Sequence, residues 1–336
     1  MKKAVSLLTL LSLIGSALVL SSCALFGVRI DRYHFPSSSL MGSVRTFDKD
    51  NNDFLSKQEL EEAKSLLVIS ECSDLSGIEY LTNLETLTLL DCSNSTDLSG
   101  IEKLTNLKSL VLCNCTDSIN LADVEFPDSL EVIEIHGGTF NETFVFDNEV
   151  TINEFKFRDC VFENGVLFKN DSVGYVEFGY CNNGECEASG DLVFEDCDSL
   201  YWFRGEFESE QERSCNIDLS GCDALDWLLI SNDHEQIITS VDLSNCSTLS
   251  SFEIYGFDSY SDSGVKPELT LNICGCPNIE AAYILTNRVQ ELDISDCPYL
   301  ISASEQTPYE KQWVGLVYES EDGYIEAENE QLVLIK

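Results

Sequence analysis

The chain has 336 residues, 43% of them hydrophobic, and carries 60 Asp and Glu against 19 Lys and Arg, a formal net charge of −41. That balance excludes nucleic acid as a partner, because binding a polyanion requires clustered bases that release its counterions, and it disfavours direct contact with an anionic lipid surface. Apolar residues are spread evenly along the chain instead of gathering into separate cores, which is the distribution a repeat produces.

Met1, Lys2 and Lys3 precede an uncharged apolar run from Ala4 to Leu20. This is the pattern of a secretory signal and not of folded structure. The run closes on Leu20, Ser21, Ser22 and Cys23, which resembles the bacterial lipobox. The resemblance implies removal of residues 1–22 and acylation of Cys23, whose two or three chains make a stable anchor where a single chain does not. It also implies an extracytoplasmic protein, exposed on the cell envelope and held to the membrane by lipid alone, with residues 23–34 as a tether.

Residues 35–66 are expected to form a small helical cap. Within it, "FDKDNNDFLSKQELEEA" fits a twelve-residue EF-hand loop, with Asp48, Asp50 and Asn52 at positions 1, 3 and 5, the Phe54 carbonyl at 7, Ser56 at 9 and Glu59 at 12. Position 6, normally Gly, is Asp53, which tolerates the left-handed turn less well. The spacing predicts weak structural Ca2+ binding, at about 10⁻⁴ to 10⁻³ M; an acidic loop that only caps a helix is the alternative. Helices are expected in "FPSSSLMGSVRTF" before the loop and over Gln58 to Leu67 after it. The segment resembles the dockerin-like calcium cap that precedes the repeats of bacterial lipoproteins, where it closes one end of the hydrophobic column.

From residue 67 to 306 a phrase LxxLxLxx(N/C) recurs, its starts about 21–30 residues apart. Its apolar positions are Leu84/Leu87/Leu89, Leu107/Leu110/Leu112, Leu130/Ile133/Ile135, Ile152/Phe155/Phe157, Val173/Val176/Phe178, Leu200/Phe203/Gly205, Leu225/Leu228/Ile230, Leu249/Phe252/Ile254 and Ile279/Ala282/Ile284. In LxL both apolar residues point inward and the residue between them points to solvent. One such coil cannot bury its own leucines, whereas stacked coils bury a column of them and lay their strands into a parallel sheet. "LSGIEYLTNLETLTL" and "LSGIEKLTNLKSLVL" resemble the internalin-type leucine-rich repeat, and "IDLSGCDAL", "VDLSNCSTL" and "LDISDCPYL" resemble the "LDLS" arm of surface proteins from anaerobic bacteria. The implied fold is a leucine-rich-repeat horseshoe, a solenoid of strand and loop with a parallel concave sheet. Beyond it, residues 307–336 alternate around Asp322-Gly323 and predict a β-hairpin cap over the last coil.

The chain holds fifteen cysteines. Cys72, Cys92, Cys115, Cys160 and Cys181 fall on the N/C position of the phrase, and Cys197, Cys222, Cys246, Cys276 and Cys297 share a second slot after the "DLS"-like arms. Recurring slots predict ladders of buried thiols; Cys181 with Cys186 is the pair expected to bridge if any does. Zinc is not indicated by "CNC" or "CGC", since four converging ligands are needed and the histidines, His34, His136 and His234, are scattered.

The same register places Tyr175, Trp202 and Trp227 side by side on the outward sheet face, next to Lys156, Arg158 and Arg204. Trp, Tyr and Arg dominate binding hot spots, so this patch is the expected contact site for a protein or glycan on a host or neighbouring bacterial surface. A passive acidic coat is the second reading. A surface hydrolase is the third and weakest, because HExxH, GxSxG, Walker and dinucleotide motifs are absent from the sequence.

Overall fold

The computed structural model describes residues 27–69, 74–91, 97–114, 121, 123–179, 185–256, 267–311 and 315–336. Cys23, Cys72, Cys92, Cys115 and Cys181 lie outside the described residues. The chain divides into two compact units, Met1–Leu112 with Glu125–Leu130, and Cys113–Val124 with Glu131–Lys336.

In the first unit, Ser37 caps the helix Ser38–Val44 by accepting from the Leu40 amide, and Leu40 and Val44, four residues apart, are its buried stripe. The helix Lys57–Glu62 opens on a capping box of Ser56 and Glu59. It is shorter than the helix expected through Leu67. Ala63 leaves the helical region with ψ 83, and Ser65–Val68 is already a strand, paired in parallel with Thr86–Leu90 so that Leu66 meets Leu87 and Val68 meets Leu89. Alternating burial against a ready neighbour outweighs helix propensity here. A coil with Ala63, Leu66 and Val68 inward thus precedes those found by the phrase, whose first position is hidden by an alanine.

The recurring "LSGIE" has a local cause. The Asp97 carboxylate accepts from the Ser99 amide at 2.9 Å, and the Gly100 amide donates to Glu102 at 2.6 Å while Gly100 sits at φ 100°. Asp74, Ser76, Gly77 and Glu79 repeat the arrangement one coil earlier, with φ 98° at Gly77. At Gly77 an added Cβ would stand 2.1 Å from the His34 carbonyl oxygen, so the cap rests directly on this turn. Loop side chains also bond the preceding coil: Asn106 donates to the Thr82 carbonyl at 2.8 Å, Asn83 to that of Leu60 at 3.3 Å and Ser129 to that of Leu107 at 2.7 Å.

The second unit is a parallel β-solenoid. Ile133, Phe155, Val176, Phe203, Leu228, Phe252, Ala282 and Ile325 stand in one register row and are all 0% exposed. The inward positions of the phrase are therefore the inward positions of the fold. A second parallel ladder, not anticipated from the phrase, runs along the other side of each coil: Phe146, Phe168 and Phe194 are neighbours in it, as are Leu192, Ile217, Val241 and Leu271. The "IDLS" and "VDLS" arms supply its later strands, and the two strands Trp202–Asp218 and Trp227–Asp242 are long enough to serve both ladders.

Where Phe replaces Leu, the core is an aromatic stack. Phe157 lies against Phe178 with ring centroids 4.8 Å apart, Phe168 against Phe194 at 5.2 Å, and Phe168 meets Phe155 edge to face at 5.1 Å. Gly205 occupies an inward position because its neighbour needs the space: a Cβ there would stand 2.6 Å from the Phe207 ring.

At the C-terminal end, Gly315–Glu319 and Tyr324–Ala327 form the expected antiparallel hairpin, closed by a bond from the Ser320 amide to the Gly323 carbonyl at 2.9 Å. It is more than a lid. Tyr324–Ala327 pairs in parallel with Ala281–Leu285, and Val333–Ile335 with Glu291–Asp293, so the segment completes a further coil.

Candidate functional site

Strand alternation decides which side chains reach solvent on the first ladder. Tyr175, Trp202, Trp227, Ser251, Ala281 and Tyr324 form one outward row in direct register. Tyr175 and Trp202 have ring centroids 5.3 Å apart, and Trp202 meets Trp227 edge to face at 5.0 Å. Trp202 is 42% exposed, Tyr175 and Trp227 are half-buried, and Tyr201 beside them is 50% exposed. Tyr175, Trp202 and Trp227 thus form a continuous aromatic surface, with the Lys156 ammonium 6.0 Å from the Tyr175 centroid.

Lys156, Arg158 and Arg204 are where the register puts them, but they do not form an open cationic strip. Lys156 pairs with Glu154 and lies 3.9 Å from Glu134; Arg158 contacts Glu177 at 2.8 Å; Arg204 pairs with Glu206, donating from Nε at 3.0 Å. The middle row alternates in sign across coils, Glu134, Lys156, Glu177, Arg204, because a charge that leaves water on a half-buried face needs a partner within reach. Glu177 is 3% exposed and also accepts from the Tyr175 hydroxyl, while Arg158 donates to the Gly179 carbonyl at 2.9 Å. Burial and the Glu177 carboxylate push the Tyr175 phenol well above its usual range, so it stays a donor at any ordinary pH. His136 and Lys156 hold the Glu134 carboxyl below its usual range. Further along, Glu253 and Glu326 accept from Tyr255 and Tyr324. Carboxylates outnumber bases on this face, so its character is acidic and aromatic, not basic.

In the cap, the structure brings Asp48, Asp50 and Glu59 together, each offering a carboxylate oxygen within 4.8 Å of the others. Asp48 accepts from the amides of Asn52 at 3.1 Å and Asp53 at 2.9 Å, which folds the loop around it. Burial pushes the Asp48 carboxyl up, but these amides outweigh it and hold it below the usual range; the Ser56 hydroxyl and amide do the same for buried Glu59. Asp53 takes the left-handed turn at φ 59°, as position 6 requires. The Asn52 side chain bonds Asp50, and the Ser56 hydroxyl bonds Glu59. Phe54–Leu55 forms a short antiparallel ribbon with Val28–Arg29, which fixes the strand part of the loop. The donor set is oxygen-rich and suits a hard divalent cation.

The cysteine slots behave as packing positions. Cys197, Cys222, Cys246, Cys276 and Cys297 are buried free thiols. Cys246 donates to the Leu219 carbonyl at 3.2 Å and Cys276 to that of Leu243 at 2.9 Å, one coil back in each case. Burial pushes Cys197 up to about 11 and Cys246 up to about 12, which leaves them unreactive thiols. The expected partner of Cys186, Cys181, lies outside the described residues; Cys186 itself is a buried free thiol. A groove of about 400 Å³ in the first unit is bordered by Lys57, Tyr80 and Lys103. Both lysines already have acidic neighbours, Glu61 at 3.6 Å and Glu102 at 3.0 Å.

No family model matches the chain, and no curated protein does. Among solved structures it is similar to internalin C2 of Listeria monocytogenes, with 16% identity over 68% of this chain and 97% of that one and a TM-score of 0.36. It is also similar to an internalin (inlF) of the same organism, with 16% identity over 77% of this chain and 98% of that one and a TM-score of 0.28.

Proposed function

We propose that this chain is a lipid-anchored protein of the bacterial cell envelope that binds a protein partner through the outward face of its first strand ladder. The observation that carries the reading is the row Tyr175, Trp202 and Trp227: aromatic side chains in van der Waals contact, with Trp202 42% exposed, on the outward face of the first ladder. Exposed aromatic rows of this kind are typical anchors of interfaces. The surrounding carboxylates favour a partner that presents Lys or Arg, which the tryptophan faces would also attract. A glycan is the second reading, favoured by the same aromatic surface.

Binding of the chain starting after Cys23 to an array of extracellular proteins and polysaccharides tests this. Trp202→Ala with Trp227→Ala is expected to lower affinity by about 30-fold or more, the effect of losing a hot spot of about 2 kcal/mol, while strand content is unchanged. Unchanged binding would refute the assignment of the face, and retention of neither proteins nor glycans would favour a passive acidic coat. Hydrolysis of a peptide, ester and glycoside panel by the wild-type protein would overturn the non-enzymatic reading. Lipid attachment at Cys23 rests on the "LSSC" sequence and is tested by metabolic acyl labelling, which Cys23→Ala should abolish.

For the cap we propose a weak structural calcium ion held by Asp48, Asp50, Asn52, the Phe54 carbonyl, Ser56 and Glu59. The convergence of three carboxylates at a left-handed Asp53 supports it. The bound ion would neutralise charge in a loop that otherwise repels itself. Cap melting with and without calcium tests the assignment: no stabilisation at millimolar calcium would refute it.

A further inference from the structure

The register around the second strand of the aromatic stack places two thiols that no repeat slot explains as a pair. Val161 pairs with Glu187 and Phe162 with Ala188 in parallel, so Cys160 and Cys186 are the next register neighbours along the same two strands. Both are 0% exposed and both are free. Cys186 is bridged on its other side to Phe207. Parallel neighbours stand about 4.8 Å apart, inside the Cα separation of about 4.4–6.8 Å that a disulfide spans. The Cys160 thiol contacts the carbonyls of Ile135 at 3.5 Å and Arg158 at 3.2 Å, and burial together with the neighbouring Cys186 thiol pushes it well above its usual range.

We propose that Cys160 and Cys186 are the site of a cross-strand disulfide, formed when the chain folds in an oxidising compartment. The two thiols lose two protons and two electrons to a small-molecule disulfide such as oxidised glutathione, which is reduced to two thiols as the new S–S bond forms. The bridge ties the strand Glu154–Phe162 to the short strand Glu187–Ala188. That junction also carries the ion network in which Arg213 contacts Glu163 and Glu187, each at 2.7 Å.

The full chain, refolded in a glutathione redox buffer and digested without reduction after alkylation of free thiols, gives the test. Mass spectrometry should recover the Cys160 and Cys186 peptides as one linked species, lighter than their sum by two hydrogens, and separate them on reduction. The oxidised wild type should unfold at higher urea than the reduced one, and Cys160→Ala with Cys186→Ala should lose that redox dependence while keeping strand content. Because both thiols are buried, oxidant added to the already folded protein should act far more slowly than oxidant present during refolding. Recovery of Cys160 as the alkylated thiol after oxidative refolding, or of Cys186 linked to Cys181, would overturn the proposal.

Discussion

Arg158 tests whether the bases on the outward face serve the partner or the protein itself. Its guanidinium contacts Glu177 at 2.8 Å and donates to the carbonyls of Gly179 at 2.9 Å and Phe157 at 3.2 Å, with side-chain exposures of 17% for Arg158 and 4% for Glu177. Arg158→Met keeps most of the aliphatic packing and removes the charge. Breaking a buried pair by deleting one member costs about 3–5 kcal/mol. Because the Tyr175 hydroxyl still donates to Glu177, the expected loss is smaller, about 2–3 kcal/mol. Glu177→Gln keeps an oxygen acceptor and should cost about 1 kcal/mol. The double variant, with neither charge buried, should be more stable than Arg158→Met alone. Urea unfolding followed by tryptophan fluorescence is a suitable assay, since Trp202 stands on the strand next to that of Glu177 and Trp227 on the one after it. If Arg158→Met unfolds at the wild-type midpoint and binding of the partner falls, Arg158 is a contact residue and not a structural partner of Glu177.

Phe168→Ala removes a ring in contact with Phe144, Phe146, Phe155, Phe157 and Phe194, and should destabilise the second unit by about 3–5 kcal/mol in calorimetry. Gly77→Ala puts a methyl against the His34 carbonyl at a backbone angle that L-residues avoid; a loss above about 2 kcal/mol in cap stability is expected, and a neutral result would contradict the contact between turn and cap. Asp48 and Glu59 both titrate below their unfolded values, so their contribution is complete above the ordinary carboxylate range and disappears as pH falls through the lowered values. Circular dichroism of the cap during acid titration should therefore show melting below about pH 4, the lower edge of the usual carboxylate range, shifted upward in Glu59→Gln.

Much of the architecture was legible because a strand has a period of two. Once Leu84, Leu87 and Leu89 define inward positions, every later copy of the phrase places its own inward pair, and the aromatic row follows by elimination. The second ladder was not legible. Its arms, such as Thr270–Asn272, are only a few residues long, too short for alternation to stand out from loop. The pairing of these bases could have been read: Glu154 and Lys156, and Arg204 and Glu206, lie two residues apart and so share a face, and the sign alternates from coil to coil. The inward partner of Cys186 depended on the pairing of Glu187 with Val161, which the sequence does not encode locally. In the cap, the helix after the loop was overextended because propensity is local and the strand Ser65–Val68 is imposed by Thr86–Leu90.

The side chains that bond one coil back set a rule for how such a chain changes length. Asn83 to Leu60, Asn106 to Thr82 and, in the second unit, Thr248 to Leu225 at 3.0 Å are separated in sequence by 23, 24 and 23 residues, so each fastening spans one turn of the winding. Duplicating or excising a complete turn reproduces every donor with its acceptor, whereas gaining or losing a fraction of one strands both. Growth and shrinkage of this molecule over evolutionary time should therefore proceed in whole windings, with partial changes confined to the loops that bulge away from the fastenings.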